Sequence, residues 1–564
     1  MCGILGVLGH RSKEWYQRST ELKPILEHRG PDAFLTSIDN LNSCFLAHWR
    51  LKIIDLSDIA NQPMQSSCNR YTIVFNGEIY NYLELKRELK STYQFITESD
   101  TEVLLAGYRY WGESLLDKLK GMFSFAIWDS KKNELFAARD RFGVKPFYYY
   151  HQAQEFVFAS EIKGVKKIVG SVNPTQCTWS NYLRRGTYGN GVETFFEDII
   201  ELPAGNCLTI CKGVLKKKQW YHFNNQVSGL FDSGDVLERF DEKINKAIQY
   251  RFRADVPLGI NLSGGVDSSA LLALTGQLHH DIQGFTFYTG HEAYDEIGWV
   301  EKLVENSHVT LNPVKLSAQE IPSLARRMMD IQDEPYGGIP TLAYGKVFDA
   351  ARKKGVVVLL DGQGMDEQLG GYDYYYNEGQ NIIQGSKSKP TVPDAILLTD
   401  KLPQENQLIN SAFSSLQQKQ YQDLFHKKLP RALRFNDRVS MAASTELREP
   451  FLDEELVAFC FSLPEHEKKQ YGKTKHLLRA YLKDKVPPFI FDVPKRPMQT
   501  PQREWLRNEL KDWVHDQLDL AKKTGWFNQK EMDKAVKAFY NEEVDNSFYI
   551  WQWVSVGLYM DSQV

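Results

Sequence analysis

The sequence predicts a two-domain protein of mixed α/β and α+β class: a strand-rich first unit, then a doubly wound parallel sheet with a helical C-terminal part. Three observations carry this expectation. A chain of 564 residues exceeds the size at which a single hydrophobic core keeps growing, so two domains are the default. The first two hundred residues alternate apolar and polar positions in short runs bounded by turns. Beyond residue 235, apolar runs of strand length alternate with stretches of helical spacing, the pattern of parallel strands with crossover helices.

In the first unit, YTIVFNGE (71–78), GMFSFAIWD (121–129) and ELFAARD (134–140) read as strands. The polar, Gly- and Ser-containing stretch NNQVSGLFDSGD (Asn224 to Asp235) reads as a linker and sets the units at 1–222 and 235–564. VLERFDEKINKAIQYRF (236–252) then has helical spacing, VPLGINL (256–262) reads as a buried strand and SALLALTGQL (269–278) as a helix. GFTFYT (284–289) and VTLNPVKL (309–316) are strand candidates, and the helix-like LAYGKVFDAARKK (342–354) feeds the apolar run VVVLL (356–360). From Leu402 onward the pattern is mostly helical.

Composition narrows the function classes. With 42% hydrophobic and 25% charged residues the chain is an ordinary globular protein, and a net charge of −4 gives no electrostatic reason to expect nucleic acid or an anionic membrane as partner. No apolar stretch is long enough to span a bilayer, and the N-terminus reaches Lys13 and Glu14 without the apolar region of a signal peptide. Seven cysteines form neither a disulfide framework nor a zinc site. The only close pair, Cys207 and Cys211, lacks a second pair. A reducing, cytoplasmic setting is expected.

LSGGVDSS (262–269) falls where a strand should end and a helix begin. Gly264 and Gly265 let the backbone approach a ligand, free N–H groups at a helix start suit an anion, and Ser263, Ser268 and Ser269 add hydroxyl donors. No Lys-Ser/Thr pair follows the glycines, which excludes a Walker A loop. Asp267 would repel phosphate unless a divalent cation lay between them. A second loop, DGQGMDEQLGGY (361–372), follows another apolar run. Ligands of open α/β sheets gather at the carboxyl ends of strands, so the two loops are expected to face each other, with Asp267 and Asp366 as a magnesium site. The plainer alternative for the acids is a solvated helix start.

The chain opens MCGILGVLGH. If Met1 is removed, the α-amine freed on Cys2, with an ordinary pKa of about 7.7–8.0, can act as base for the thiol beside it. Amide cleavage also needs an oxyanion hole, and Asn76 with the Gly77 N–H is a credible pair. Holding a free amino acid needs a fork for its carboxylate, for which Arg50 is suited, and acids for its ammonium, such as Glu78 and Asp100.

Together HRGPD (28–32), HWRLKIIDLS (48–57), FNGEIYN (75–81), ESDTE (98–102) and DRFGVKPFYY (140–149) resemble the class II glutamine amidotransferases, and SGGVDSS resembles the pyrophosphate loop of ATP pyrophosphatases. With FASEIKG (158–164), LPAGN (202–206), NDRVSMAASTELREPFLD (436–453) and TKHLLR (474–479), nearly the whole chain resembles the glutamine-hydrolysing asparagine synthetases. That resemblance implies an N-terminal αββα sandwich of the N-terminal-nucleophile hydrolase type and an ATP-pyrophosphatase-type synthetase domain. It implies that Cys2 attacks glutamine, Asn76 and Gly77 stabilise the oxyanion, and Arg50, Leu51, Lys52, Ile53, Ile54, Glu78 and Asp100 form the glutamine pocket. It also implies that Leu262, Ser263, Gly264, Gly265, Asp267, Ser268, Phe287, Asp361 and Gly362 surround ATP, and that Asp267 and Asp366 hold Mg2+. Ammonia would pass between the sites to an acyl-adenylate, with aspartate the leading acceptor and a homodimer one assembly seen in such enzymes.

Two segments depart from the pattern. Such synthetases usually carry Ser-Gly-Glu-Gly-x-Asp-Glu in the second loop, where this chain has Asp361-Gly362-Gln363-Gly364-Met365-Asp366-Glu367. The glutamate is tied to forming the acyl-adenylate, and Gln363 can neither take a proton nor carry charge. KRPMQTP (495–501) stands where Lys-x-Gly-Phe is frequent, keeping Lys495, which by analogy neutralises charge during adenylation. Both changes lie at the acceptor end, so another carboxylate, such as a sugar acid or natural-product precursor, is the alternative acceptor. A β-lactam-forming relative ranks low because Cys2 is kept, and a non-catalytic scaffold ranks low because both motif sets are chemically complete.

Overall fold

The computed structural model describes residues 1–39, 41, 43–188, 192–227, 234–276, 282–305, 307–376, 392–399, 413–493 and 499–563. Twelve strands build the first unit: β1 Gly3–Leu8, β2 Ala33–Asp39, β3 Cys44–Arg50, β4 Met64–Gln65, β5 Tyr71–Ile79, β6 Gly121–Asp129, β7 Glu134–Arg139, β8 Tyr148–Gln152, β9 Glu155–Ala159, β10 Ile199–Glu201, β11 Asn206–Cys211 and β12 Val214–Gln219. They form two antiparallel sheets, β10-β8-β9-β1-β3-β2 and β12-β11-β7-β6-β5-β4. Strand periodicity explains the stacking: alternate residues of both sheets, including Ile4, Leu46, Val74, Ala126, Tyr149 and Phe158, meet in one buried layer. Helices Arg11–Gln17 and Ile162–Val169 pack on the first sheet, Tyr82–Leu89 and Asp100–Trp111 on the second. This is the expected αββα sandwich.

The second unit holds five parallel strands: β13 Leu258–Asn261, β14 Gln283–Tyr288, β15 Thr310–Lys315, β16 Val358–Leu360 and β17 Glu446–Arg448, in the order β15-β14-β13-β16-β17. Helices Val236–Arg251, Val266–Thr275, Ile297–Val304 and Ile339–Lys353 connect or flank them, as the doubly wound reading requires. The sheet order reverses at β13 and β16, so the loops after Asn261 and Leu360 open side by side at the carboxyl edge.

Two details differ from the sequence expectation. The stretch beyond Leu402 is mostly helical but contributes β17, a three-residue strand too short to show a period. Asn224 to Val227 of the expected linker lie in the helix Phe223–Val227, whose Phe223 ring packs on Phe461 and Phe425. Asp235 caps the following helix through the Leu237 and Glu238 amides, and 228–233 lie outside the described residues. Among the described residues no helix is long and apolar enough to cross a membrane.

The two units share their interior. A single apolar cluster runs from Leu5, Trp49 and Trp179 of the first to Phe285, Tyr336 and Trp551 of the second, with the Trp179 ring 5.0 Å from those of Trp526 and Tyr559.

Candidate active sites

Cys2 lies just ahead of β1 and is buried, next to Asn76 of β5 and to Leu51 just beyond β3. Its backbone nitrogen donates to Asn76 Oδ1 at 3.1 Å, and Arg29 Nε donates to its carbonyl at 3.1 Å. The Cys2 thiol, contacting the Leu51 carbonyl at 4.0 Å, is pushed up by burial, against the pull of the nearby terminal amine and Arg50. Asn76, wholly buried in β5, leaves its Nδ2 without a hydrogen-bond partner among the described residues. A buried donor left unmade is costly. Gly77 has φ +150°, and a Cβ there would stand 2.1 Å from the Met122 carbonyl oxygen; only glycine lets β5 lie so close to β6.

Glu78 and Asp100 do come together, with Glu446 of β17 as a third buried acid. Burial, then Glu446 and Asp100, raise the Glu78 carboxyl well above its ordinary range. Burial chiefly raises Asp100 to about 6, although it accepts from the Ile79 amide at 2.9 Å. Arg448 lies 3.6 Å from Glu78 and bonds Glu446 through its Nε, so Glu446, despite burial, is held low by that guanidinium and the terminal amine. The Met1 ammonium sits 3.2 Å from Glu446 in this acidic nest.

Arg50 is placed differently from a free fork. Its Nη1 donates to the Ser57 carbonyl at 2.6 Å and Asn61 Oδ1 at 2.8 Å, and its Nη2 to the Ile54 and Asp55 carbonyls. It organises the 54–61 loop. Leu51, Ile53 and Ile54 are buried beside Met1, whereas Lys52 turns outward to Asp58 at 2.7 Å.

In the second unit Leu262 continues β13, its amide bonded to the Phe285 carbonyl at 2.8 Å, and Gly265 precedes the ten-residue helix Val266–Thr275. Ser268 and Ser269 turn their hydroxyls onto the Gly265 carbonyl at 3.1 and 2.9 Å, and Ser263 remains exposed. The second loop reaches the first: a Cβ on Gly362 would stand 3.2 Å from Asp267 Cβ. Asp361 accepts from the Tyr344 hydroxyl and is raised, chiefly by burial. Phe287 is half-buried on β14, and Gln363 is half-buried in its loop. Lys495 lies outside the described residues.

Asp267 and Asp366 aim at one point, and a residue the sequence reading left without a role stands there. Lys475 Nζ is 2.6 Å from Asp267 Oδ2 and 2.6 Å from Asp366 Oδ1. Burial pulls the Lys475 ammonium down, but the two carboxylates more than offset this and leave it raised. Gly371 keeps the site tight, since a Cβ there would meet Asp366 Oδ1 at 1.9 Å and Lys475 Cε at 2.4 Å. TKHLLR carries the lysine, but 208 residues separate it from Asp267 and no local spacing links the two.

A buried chain of charge leads from the Cys2 site into the second unit. Arg29, which holds the Cys2 carbonyl, bonds Asp437 at 2.9 Å and Glu161 at 2.8 Å, and Lys145 lies 3.6 Å from Asp437. Arg29 and Lys145 come from the first unit, Asp437 from the helix Lys428–Met441 of the second.

Comparison with known proteins agrees with this geometry. A glutamine amidotransferase domain model matches residues 1–221, and an asparagine synthase model matches residues 239–561. Glutamine-hydrolysing asparagine synthetase 1 of Bacillus subtilis is 27% identical, covering 98% of this chain and 95% of its own, and asparagine synthetase 3 of that organism is 29% identical over 95% and 93%. The amidase chry2 of Gibberella zeae is 23% identical over 96% of both chains. With a thiol at residue 2, two ligand loops at one sheet edge and both family models in register with the two units, the chain belongs to the asparagine synthase family and is a glutamine-dependent carbon–nitrogen ligase.

Proposed function

We propose that the enzyme hydrolyses glutamine at Cys2 and uses the ammonia to amidate a carboxylate activated by ATP, with AMP and pyrophosphate released and aspartate the leading acceptor. The observation that carries this reading is the apolar seam between the two units. Met1, Leu51, Ile53, Met122 and Val144 of the first unit share one apolar cluster with Val358, Met441 and Leu452 of the second. Ammonia in water near neutral pH is mostly protonated and no nucleophile, so transfer through such a layer keeps it reactive. Removing Met1 frees the Cys2 amine and clears part of that layer.

Asn76 Nδ2 and the Gly77 amide then face the oxyanion, and the acidic nest of Glu78, Asp100 and Glu446 accepts the substrate ammonium. Gly77→Ala should lower glutamine hydrolysis by about 10²-fold or more, because the added methyl drives β5 away from β6 and spoils the donor geometry. Ammonia-driven synthesis should persist, and parallel assays with the two nitrogen sources check this.

At the second site Ser263, Gly264, Gly265 and Ser268 are suited to pyrophosphate, with Leu262, Phe287, Asp361 and Gly362 around the nucleotide. Two convergent carboxylates completed by phosphate oxygens suit magnesium, and Asp267 and Asp366 would hold it if the Lys475 ammonium between them turned to the phosphates. Bound there, it would neutralise the phosphates, a duty Lys475 shares.

Gln363 favours a second reading in which the acceptor is another carboxylate, and a relative named as an amidase is compatible with that. Substrate-dependent exchange of labelled pyrophosphate into ATP, run with aspartate, sugar acids and other carboxylates, decides between them. Exchange with aspartate is the expected result; exchange with another acid alone transfers the assignment to that acid, and exchange with none refutes adenylation.

A further inference from the structure

Glu449 follows β17 directly, at the carboxyl edge where both ligand loops open. The Asp361 amide donates to the Arg448 carbonyl at 2.9 Å, which sets Glu449 beside Asp361 across the β16–β17 pair. Glu449 is 5% exposed, and among the described residues its carboxylate enters no hydrogen bond or ion pair. The groups that act on it most come from several elements: Lys145 and Asp140 from the first unit, Asp437 from the helix Lys428–Met441, and Asp361 from the nucleotide crevice. Tyr344, the hydroxyl partner of Asp361, also feels its charge. Glu449 therefore continues the chain Cys2–Arg29–Asp437–Lys145 to the edge of the adenylation site. An uncommitted buried acid is costly to keep, and this one lies where nitrogen leaving the seam would meet an activated acyl group.

We propose that Glu449 is the proton acceptor for ammonia as it attacks the activated carboxylate, the task that the Gln363 amide on the facing loop is chemically unable to perform. This rests on the adenylating function above. As the nitrogen attacks the acyl carbon, the C–N bond forms and the bond from that carbon to the AMP phosphate oxygen breaks, its electron pair leaving with AMP. One nitrogen proton passes to a Glu449 oxygen, giving the primary amide, AMP and a neutral Glu449, which returns the proton to solvent. Burial, outweighing Lys145 and reinforced by Asp361, Asp437 and Asp140, raises this carboxyl to about 8, close to the range in which a general base works best near neutrality.

The test uses full-length Glu449→Gln and Glu449→Asp with ATP, aspartate (or the acid that gives exchange in the panel) and ammonium chloride. In Glu449→Gln, amide formation should fall by about 10²-fold or more. Acid-dependent pyrophosphate exchange and glutamine hydrolysis should stay near wild type, and Glu449→Asp should recover part of the synthesis. With free ammonia held constant by adjusting ammonium chloride at each pH, wild-type amide formation from pre-formed adenylate should rise with pH up to about 8 and level off, because the base form accumulates through its pKa, and Glu449→Gln should lose that rise. The wild-type profile serves as the test even if neither variant folds: a profile flat through this range overturns the proposal. Unchanged synthesis in Glu449→Gln, or exchange lost in step with synthesis, overturns it too. Absence of exchange in the wild type with every acid instead refutes the adenylating function itself.

Discussion

Cys2→Ala should abolish glutamine-driven amide synthesis, by at least about 10⁴-fold as for removal of other covalent nucleophiles, while synthesis from ammonium chloride stays within about twofold of wild type. The asymmetry follows from position. Cys2 touches Asn76, Leu51 and Arg29, and none of its direct contacts belongs to the phosphate loop. A methyl group in place of the thiol leaves the Arg29 bond to the residue-2 carbonyl and the Asn76 bond to its nitrogen. The charge chain into the second unit is thereby preserved. Quantifying the amide product with each nitrogen source decides the matter, and intact mass of the wild type should show the initiator methionine removed. Equal loss of both activities would show that Cys2 serves the fold rather than the hydrolysis.

Lys475→Ala should reduce ATP–pyrophosphate exchange by about 10³-fold and leave glutamine hydrolysis unchanged. Lys475 is the cation that lets Asp267 and Asp366 share one point, and it sits in the left-handed region at φ 55° immediately before the helix His476–Leu482, with its charge pinned between the loops. Without it two carboxylates face each other and the pyrophosphate with one positive charge fewer. Burial and mutual repulsion should then raise one of them, so residual exchange should fall off toward acid more steeply than in wild type, as a protonated carboxyl no longer serves magnesium. Exchange rates across pH 6–9 measure both effects; loss of glutamine hydrolysis alongside exchange would indicate collapse of the fold instead.

Legibility in the sequence followed locality. SGGVDSS declared a strand–helix junction because its glycines, hydroxyls and acid fall within eight residues, and the structure places them there before the helix Val266–Thr275. Asn76, Gly77 and Glu78 were legible for the same reason, since a polar triplet inside an apolar strand conflicts with its surroundings. Lys475, Glu446 and Glu449 were not. Each acquires its meaning from a partner far along the chain, and β17, which carries or adjoins two of them, is too short to announce itself. Arg50 was legible as a guanidinium near the site, but its commitment to four loop acceptors depends on the path of residues 54–61, which no spacing rule fixes.

The buried Arg29–Asp437 pair also bears on how the molecule can be taken apart. Cutting the chain near residue 230 would take Asp437 from Arg29, leaving it Glu161 alone, and from Lys145, and would expose the tryptophan-lined face on both fragments. Breaking one such buried pair costs about 3–5 kcal/mol, a large share of what holds an ordinary domain folded. The halves are poor candidates for separate expression, and a gene fission that kept both activities would have to rebuild this contact between two polypeptides. Nitrogen release and nitrogen capture are therefore inherited as one object.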